Sequence, residues 1–432
     1  MSAAGTQSEI AERVQRAVRA GGVLARAPAD ARSSTLARLA TLLEAPDVRA
    51  RVLEANRVDR EGATALPPAL ARRLGLDAAK LGVLAEGARQ LARREDPLGK
   101  VLERRELDTG LVLEQVRAPL GVLAVVFESR PDALVQIASL ALRSGNAVLL
   151  KGGREARESN RELAGVVHAA LEAEGLPAEA VQLLDDRSEV DAVLALERGV
   201  DLVVARGSKE FVEHVRARSR APVLAHAEGI CHVFLHGSAD PQKAARIVVD
   251  SKVSYPAACN ALETLLWEPG AEVALDDSLR ALRAAGVELR GDPATRARAP
   301  DLRPATDADW DTEYGALVLS IARVDGLDGA LTHIARHGSG HSEAIVAEDT
   351  AAAERFLAEV DAACVFHDAS TRFADGYRFG LGGEVGIGTG KLHARGPVGV
   401  DGLLTFRWLL RGSGQVSTDY GPGKRRFRHE DG

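Results

Sequence analysis

Cysteine is scarce in this chain: three in 432 residues, Cys231, Cys259 and Cys364, with no two in a Cys-x-x-Cys pair. That excludes a disulfide framework and a zinc ribbon, and it fits a reducing cytoplasm. Cys231 beside His232, and Cys364 three residues before His367, lack the second pair that a metal site needs. Both read as structural, and no metal is expected. No stretch is apolar for long enough to cross a membrane. The first ten residues lack the basic start and apolar run of a signal peptide, so a cytoplasmic protein is expected. A one-sided charge excess is missing too. The net charge is -7 with acidic and basic residues interspersed, which gives no sign of a nucleic-acid partner. The one concentrated basic run, Lys424 to Arg428, sits in a Gly/Pro-punctuated tail and reads as a solvated, disordered end.

What is present describes an ordinary globular protein of two or three domains, with 46% hydrophobic and 27% charged residues. From Ser8 to Arg94 apolar residues return at three- and four-residue intervals, which predicts several helices punctuated by Pro28, Pro46 and Pro67-Pro68. Alternating runs at Val101–Arg104 and Leu111–Val116 flank Asp108-Thr109-Gly110 and predict a hairpin. Gly121 to Phe127 is a continuous apolar run, the mark of a strand buried on both faces. Helices are then predicted at 131–143, 154–174, 188–197 and 209–218, alternating with strands at 147–150, 181–184 and 200–204. This order implies a parallel sheet with right-handed crossovers and helices on both faces. Ligands in such sheets sit beyond the carboxyl ends of the strands, where Lys151-Gly152-Gly153 and Arg206-Gly207-Ser208 emerge.

A second α/β unit is expected from Lys252 to about Gly380, with strand-like runs at 262–267, 316–324, 344–346 and 363–366. The glycine-rich stretch from Phe379 to Lys391 fits neither a dinucleotide fingerprint nor a P-loop. Its glycines read as tight turns and close backbone approach beside a site. Within the second unit lies Cys259, after Pro256 and two small alanines, with a helix expected to start at Asn260-Ala261-Leu262-Glu263. A thiol at the first turn of a helix feels the positive end of the macrodipole, which favours thiolate, and the local amides could hold an oxyanion. A buried core cysteine is the other reading, and this segment alone does not separate them.

The order of a parallel-sheet domain followed by such a cysteine resembles the aldehyde dehydrogenase superfamily. Pro119 to Phe127 and Ser144 to Lys151 resemble its first strand and its second strand with a cofactor-binding lysine. Arg206-Gly207-Ser208-Lys209 resembles its Gly-Ser turn near the cofactor pyrophosphate, and Glu313 to Leu319 the segment whose glutamate holds the nicotinamide ribose. Narrower wording is similar to the γ-glutamyl phosphate reductase family: Phe127-Glu128-Ser129-Arg130-Pro131, Ser254 to Thr264, Gly338 to Ile345, Ala369 to Phe373, and Lys391 to Pro397. The resemblance spans about residues 8 to 417. Where hydrolytic members of the superfamily carry a water-activating glutamate, this chain has His226. That suits an enzyme whose thioester must be protected from water.

The resemblance implies an aldehyde-dehydrogenase-like α/β fold: a Rossmann-type cofactor domain (1–100 and 118–251), a catalytic domain (252–383), an oligomerisation arm (101–117 and 400–417) and a tail (418–432). It further implies NADPH-dependent reduction of L-glutamyl 5-phosphate to L-glutamate 5-semialdehyde in proline biosynthesis, with Cys259 as nucleophile. Cofactor contacts are expected from Lys151, Gly152, Gly153, Gly207, Ser208 and Glu313; a solvated surface lysine is the lesser reading of Lys151, which directly follows a buried strand. Ser129 or Asn260 is expected as a side-chain oxyanion donor, and the choice between them stays open. Arg130, Arg372 and Arg395 suit the substrate's carboxylate and phosphate, since guanidinium grips such oxygens bidentately, or they bond loop carbonyls. His393 is also expected at the substrate; as proton donors His341 and His393 are the lesser reading, since a lone histidine is more often a structural hydrogen-bonder. A homodimer or larger oligomer is expected, and association with glutamate 5-kinase is a further implied partner. A CoA-acylating aldehyde dehydrogenase, a non-catalytic protein of the same fold and a cysteine hydrolase are the competing readings.

Overall fold

The computed structural model describes residues 3–431 apart from 65, 67, 129, 208, 226 and 227. Among the described residues the N-terminal periodicity resolves into helices α1 (Ala3–Arg26), α2 (Ala29–Glu44), α3 (Pro46–Gly62), α4 (Pro68–Leu74) and α5 (Ala78–Arg93). Pro46 opens α3, where a missing N–H costs nothing. Asp77 caps α5 by accepting from the Lys80 N–H at 2.7 Å. The hairpin follows as β1 (Val101–Asp108) and β2 (Leu111–Pro119), paired antiparallel.

The continuous apolar run becomes β3 (Val122–Val126), with every residue buried. Next come α6 (Pro131–Arg143), β4 (Ala147–Lys151), α7 (Arg157–Ala173), β5 (Val181–Leu183), α8 (Arg187–Leu194), β6 (Leu202–Ala205), α9 (Lys209–Arg218) and β7 (Val223–Ala225). The five strands are parallel, in the order β5-β4-β3-β6-β7. Leu123 and Val125 pack towards α2, α5, α6 and α7, while Val122 and Ala124 pack towards α1, α8 and α9. The chain builds outward from β3 first through β4 and then through β6, so the topological switch lies between β3 and β6. Ligand crevices open there in sheets of this kind.

A second parallel sheet comprises β8 (Cys231–Leu235), β9 (Leu262–Trp267), β10 (Glu288–Gly291), β11 (Arg303–Pro304), β12 (Val318–Arg323), β13 (Ser342–Val346) and β14 (Cys364–His367). Its order is β11-β10-β12-β9-β8-β13-β14. Two expectations change here. The unit begins near Cys231 rather than at 252, because β8 and the following α10 (Pro241–Val253) belong to this sheet and its core. No helix starts at Asn260 either. Leu262 opens β9, whose six residues are all buried and pair with β8 on one edge and β12 on the other. Pairing on both edges overrides whatever local helical preference the segment has.

Residues after Glu384 return to the first unit, where Val385, Val398, Val400 and Leu403 join its core. A short ribbon of β15 (Ile387–Gly388) and β16 (Gly396–Pro397) lies on the way, and β17 (Leu404–Arg411) then pairs with β2. The tail also departs from expectation. It is folded onto the arm: Arg428 N–H donates to Leu107 C=O at 2.8 Å, Phe427 stacks on Tyr420 at 4.3 Å, and β18 (Glu430–Asp431) pairs with β1. Among the described residues no helix is long and apolar enough to cross a membrane.

Asn146 ties these parts together. Its fully buried side chain accepts from Gly121 N–H at 2.7 Å and donates to Ser144 Oγ and to Leu403 C=O, each at 2.8 Å. One amide thus joins the entry to β3, the turn before β4 and the entry to β17. Asn146→Ala strands a buried donor and a buried acceptor, and should cost about 2–4 kcal/mol of stability, read as a lowered midpoint in urea unfolding.

Candidate active site

Cys259 sits in the turn between α10 and β9, on the loop from Ser254 to Ala261. The thiol is therefore not at a helix N-terminus, and no macrodipole acts on it. Packing and hydrogen bonds hold the loop from several sides. Arg73 of α4 bonds the Tyr255 hydroxyl at 3.2 Å and the Ala257 carbonyl at 2.6 Å. Thr371 Oγ1 donates to the Asn260 carbonyl at 2.7 Å, and Asn260 Nδ2 donates to the Ala374 carbonyl at 2.8 Å. Behind the loop, Gly229 presses on the Cys259 backbone so closely that a Cβ there would lie 1.9 Å from the Cys259 carbonyl oxygen. Glu313 Oε2 in turn accepts from Gly229 N–H at 3.0 Å. Beneath it, Lys252 and Glu263 form a fully buried ion pair at 2.6 Å. Burial pushes the Glu263 carboxyl up to about 7, with Lys252 pulling against it.

The electrostatic partners of Cys259 are side chains. Arg206, at the end of β6, and Arg372, in the loop after β14, both interact with the Cys259 charge. Burial lowers the pKa of each guanidinium. A neighbouring arginine adds to that effect, Arg130 for Arg206 and Arg378 for Arg372, while negative charge on Cys259 opposes it. Cations beside a thiol favour its thiolate. Arg372 is 9% exposed, donates from Nε to Ser254 Oγ at 3.2 Å and lies 5.8 Å over the Tyr255 ring. No described carboxylate pairs with it. The other two cysteines differ. Burial raises the Cys231 thiol well above its ordinary value and pushes Cys364 up to about 11, whereas Cys259 is only half-buried.

At the carboxyl edge of the first sheet, Lys151, Gly152, Gly153 and Gly207 come together. Lys151 Nζ donates to the Gly152 carbonyl at 2.5 Å. Burial lowers its pKa and Glu155 opposes that, while Arg154 and Arg157 add positive charge nearby. A Cβ on Gly152 would meet Asn160 Nδ2 at 2.1 Å, and one on Gly153 would meet the Glu155 carboxylate at 2.0 Å. Gly207 faces the Phe211 ring and the Glu128 carboxylate. The crowding leaves only backbone at these positions, and the cluster of cations fits a phosphorylated nucleotide.

The remaining expected residues lie as follows. Glu313 lies behind the cysteine loop, on Gly229. Asn260 has its amide on Ala374 and acts as a brace. Arg395 pairs with Asp361 at 2.8 Å, a carboxylate it shares with Lys391. His393 is exposed, and His341 is fully buried with Nδ1 sharing a hydrogen bond with Ser342 Oγ. Arg130 is exposed near Arg206. Ser129, Ser208 and His226 lie outside the described residues. Two residues beside Cys259 were not anticipated as site groups, Arg206 and Glu384. Arg206 was findable, since it directly follows a buried strand of a parallel sheet. Glu384 reaches the site only because residues after the second sheet fold back.

Comparisons with known proteins show the family. Residues 2–290 match the model of the aldehyde dehydrogenase family. The chain is 51% identical over 440 residues to a γ-glutamyl phosphate reductase of Synechococcus sp. (strain JA-3-3Ab), covering 99% of this chain and 96% of that one. It is 48% identical to the enzyme of that name from Cyanothece sp. (strain PCC 7425 / ATCC 29141), covering 100% of both. The crystal structure of γ-glutamyl phosphate reductase from Thermotoga maritima superposes with a TM-score of 0.90 at 36% identity, over 94% of this chain and 99% of that one.

Iodoacetamide should alkylate Cys259 alone in the folded protein near pH 8, because burial keeps the other two thiols protonated and enclosed. Arg372→Met should slow that alkylation about tenfold, as read by mass spectrometry against time.

Proposed function

The chain belongs to the aldehyde dehydrogenase superfamily and, within it, to the γ-glutamyl phosphate reductase family, and from that premise we propose that it reduces L-glutamyl 5-phosphate to L-glutamate 5-semialdehyde with NADPH, a step of proline biosynthesis. The observation that carries this reading is a half-buried cysteine whose charge interacts with two arginines, Arg206 and Arg372. A nucleophile in a cationic setting suits a substrate whose leaving group is phosphate.

In this mechanism the Cys259 thiolate attacks the γ-carbonyl carbon. A C–S bond forms, the C–O bond to phosphate breaks, and a thioacyl enzyme remains. Arg372, without a carboxylate of its own among the described residues, neutralises the departing phosphate. The Arg73, Thr371 and Asn260 hydrogen bonds keep the cysteine loop rigid, so the sulfur holds its approach. The chemistry that NADPH supplies when bound is a hydride for the thioester carbon. Lys151 would hold the nucleotide ribose, with Arg154 and Arg157 adding charge for a 2′-phosphate, and Gly152, Gly153 and Gly207 would admit the backbone close to it. Glu313 is expected to reach the nicotinamide ribose after leaving Gly229. Collapse of the thiohemiacetal then frees Cys259 and the aldehyde.

The reading extends to assembly. Among the described residues β17 is an edge strand of the arm, paired only with β2, and it exposes Phe406, Trp408 and Leu410 at alternate positions. Such an edge invites pairing with another chain, so the arm joins copies into a homo-oligomer. Association with the kinase that makes the substrate remains part of the proposal, as does a cytoplasmic setting.

Two measurements test this. In the reverse direction, glutamate 5-semialdehyde, NADP and phosphate should yield NADPH, with NADP at least tenfold better than NAD and with no product from Cys259→Ser. Wild-type turnover without phosphate would indicate a hydrolytic dehydrogenase, and turnover only with CoA would indicate an acyl-CoA reductase. By light scattering the wild type should exceed the monomer mass, and Trp408→Asp should lower it.

A further inference from the structure

A cavity of about 160 Å³ lies between α5, α6 and the segment before β15, and its walls include Arg130, Arg206, Glu384, Asp375, Gln136 and Ser139. Guanidinium and carboxylate groups face one space here. An enclosed space lined by both signs suits a ligand carrying both signs. Arg206 and Glu384 form a loose ion pair, Nη2 to Oε1 at 3.7 Å, beyond hydrogen-bond range, so both groups keep hydrogen-bonding capacity for a ligand. The second carboxylate oxygen, Oε2, accepts from Gly376 N–H at 2.9 Å, which fixes the side chain and leaves Oε1 towards Arg206. Asp375 is more committed, since its Oδ1 takes the N–H groups of Tyr377 and Arg378, both at 3.0 Å.

Two further observations point to a ligand. Ser139 is 1% exposed, lines the cavity, and its Oγ has no hydrogen-bond partner. Buried hydroxyls without partners are uncommon in native folds. Arg130 has no ion pair with a described residue, although it lies near the Arg206 cation. Arg206 and Glu384, both in the cavity wall, are also groups that interact with the Cys259 charge. Burial raises the Glu384 pKa, Arg206 opposes that, and a cation arriving beside the carboxylate would favour its ionised form.

We propose that this cavity binds the α-amino acid head group of the substrate, with Glu384 taking the α-ammonium and Arg130 and Arg206 the α-carboxylate. This rests on the proposed function and deepens it. Glu384 then determines specificity, separating L-glutamyl substrates from glutaryl compounds that lack the amino group. The γ-carbonyl lies at Cys259 while the other end of the same molecule is held by charge of both signs. Removing the ammonium from the ligand leaves Glu384 Oε1 facing the cavity with no donor from the ligand, which costs binding.

The test is calorimetric titration of L-glutamate and of glutarate into the wild type and into Glu384→Gln and Arg130→Met. The wild type should bind L-glutamate at least tenfold more tightly than glutarate. Glu384→Gln should reduce that gap to threefold or less, and Arg130→Met should weaken both ligands while keeping the gap. Thermal melting of each variant with saturating NADP checks that it is folded. If glutarate binds the wild type as tightly as L-glutamate, or neither binds, the assignment is overturned without need of any variant. A gap that persists in a folded Glu384→Gln overturns it as well. The reverse reaction on the wild type is read separately: phosphate-dependent turnover without a glutamate preference rejects this site and keeps the function. A glutamate preference without turnover does the opposite.

Discussion

Gly229 has no side chain to offer because the Cys259 carbonyl fills the space where one would be, with a Cβ contact of 1.9 Å. Two segments far apart in sequence are pressed together there, one just before β8 and one just before β9. Those strands are neighbours in the second sheet, so the contact sets where the cysteine loop leaves the sheet edge. Cys231, the first residue of β8, adds a thiol hydrogen bond to the same carbonyl at 3.3 Å. Any group larger than hydrogen at 229 would push the Cys259 loop out of its present position. Much of the site's geometry descends from this one close approach.

Charge around the sulfur follows from where three elements end. Arg206 arrives at the end of a first-sheet strand, Arg372 from the loop after the last second-sheet strand, and Glu384 from the segment that folds back towards the first unit. None is close to another in sequence. A thiol in the apolar interior would be held protonated, as Cys231 and Cys364 are. Cys259 differs in being only half-buried and in having its charge interact with Arg206 and Arg372. The same arginines suit an anionic substrate.

The two parallel sheets divide the work by position. The first presents Lys151 and the crowded glycines at its carboxyl edge, and the second presents the cysteine loop. Residues after Glu384 bind the two units by adding Val385, Val398 and Leu403 to the first core. Asn146 then couples that returning segment to β3 through Leu403. Stability of the arm, of the first sheet and of the site wall at Glu384 is therefore linked through few buried groups.

The order of helices and strands through the first sheet was legible from residues alone, because a five-residue apolar strand and an amphipathic helix leave periodicities that survive without knowledge of neighbours. The family, and with it the singling out of Cys259 and Lys151, could also be read from local motifs. The helix expected at Asn260 could not stand, since β8 and β12 claim Leu262 to Trp267 as a strand on both edges. The free tail failed similarly, because β1 offers it a pairing edge that composition does not reveal. Tertiary structure alone decided that Glu313 rests on Gly229, that Arg395 is held by Asp361, and that Arg206 and Glu384 meet beside the sulfur. The physical reason is the same in each case. Secondary structure is written in short-range patterns along the chain, whereas a charge acts on whatever the fold brings near it, at any separation in sequence.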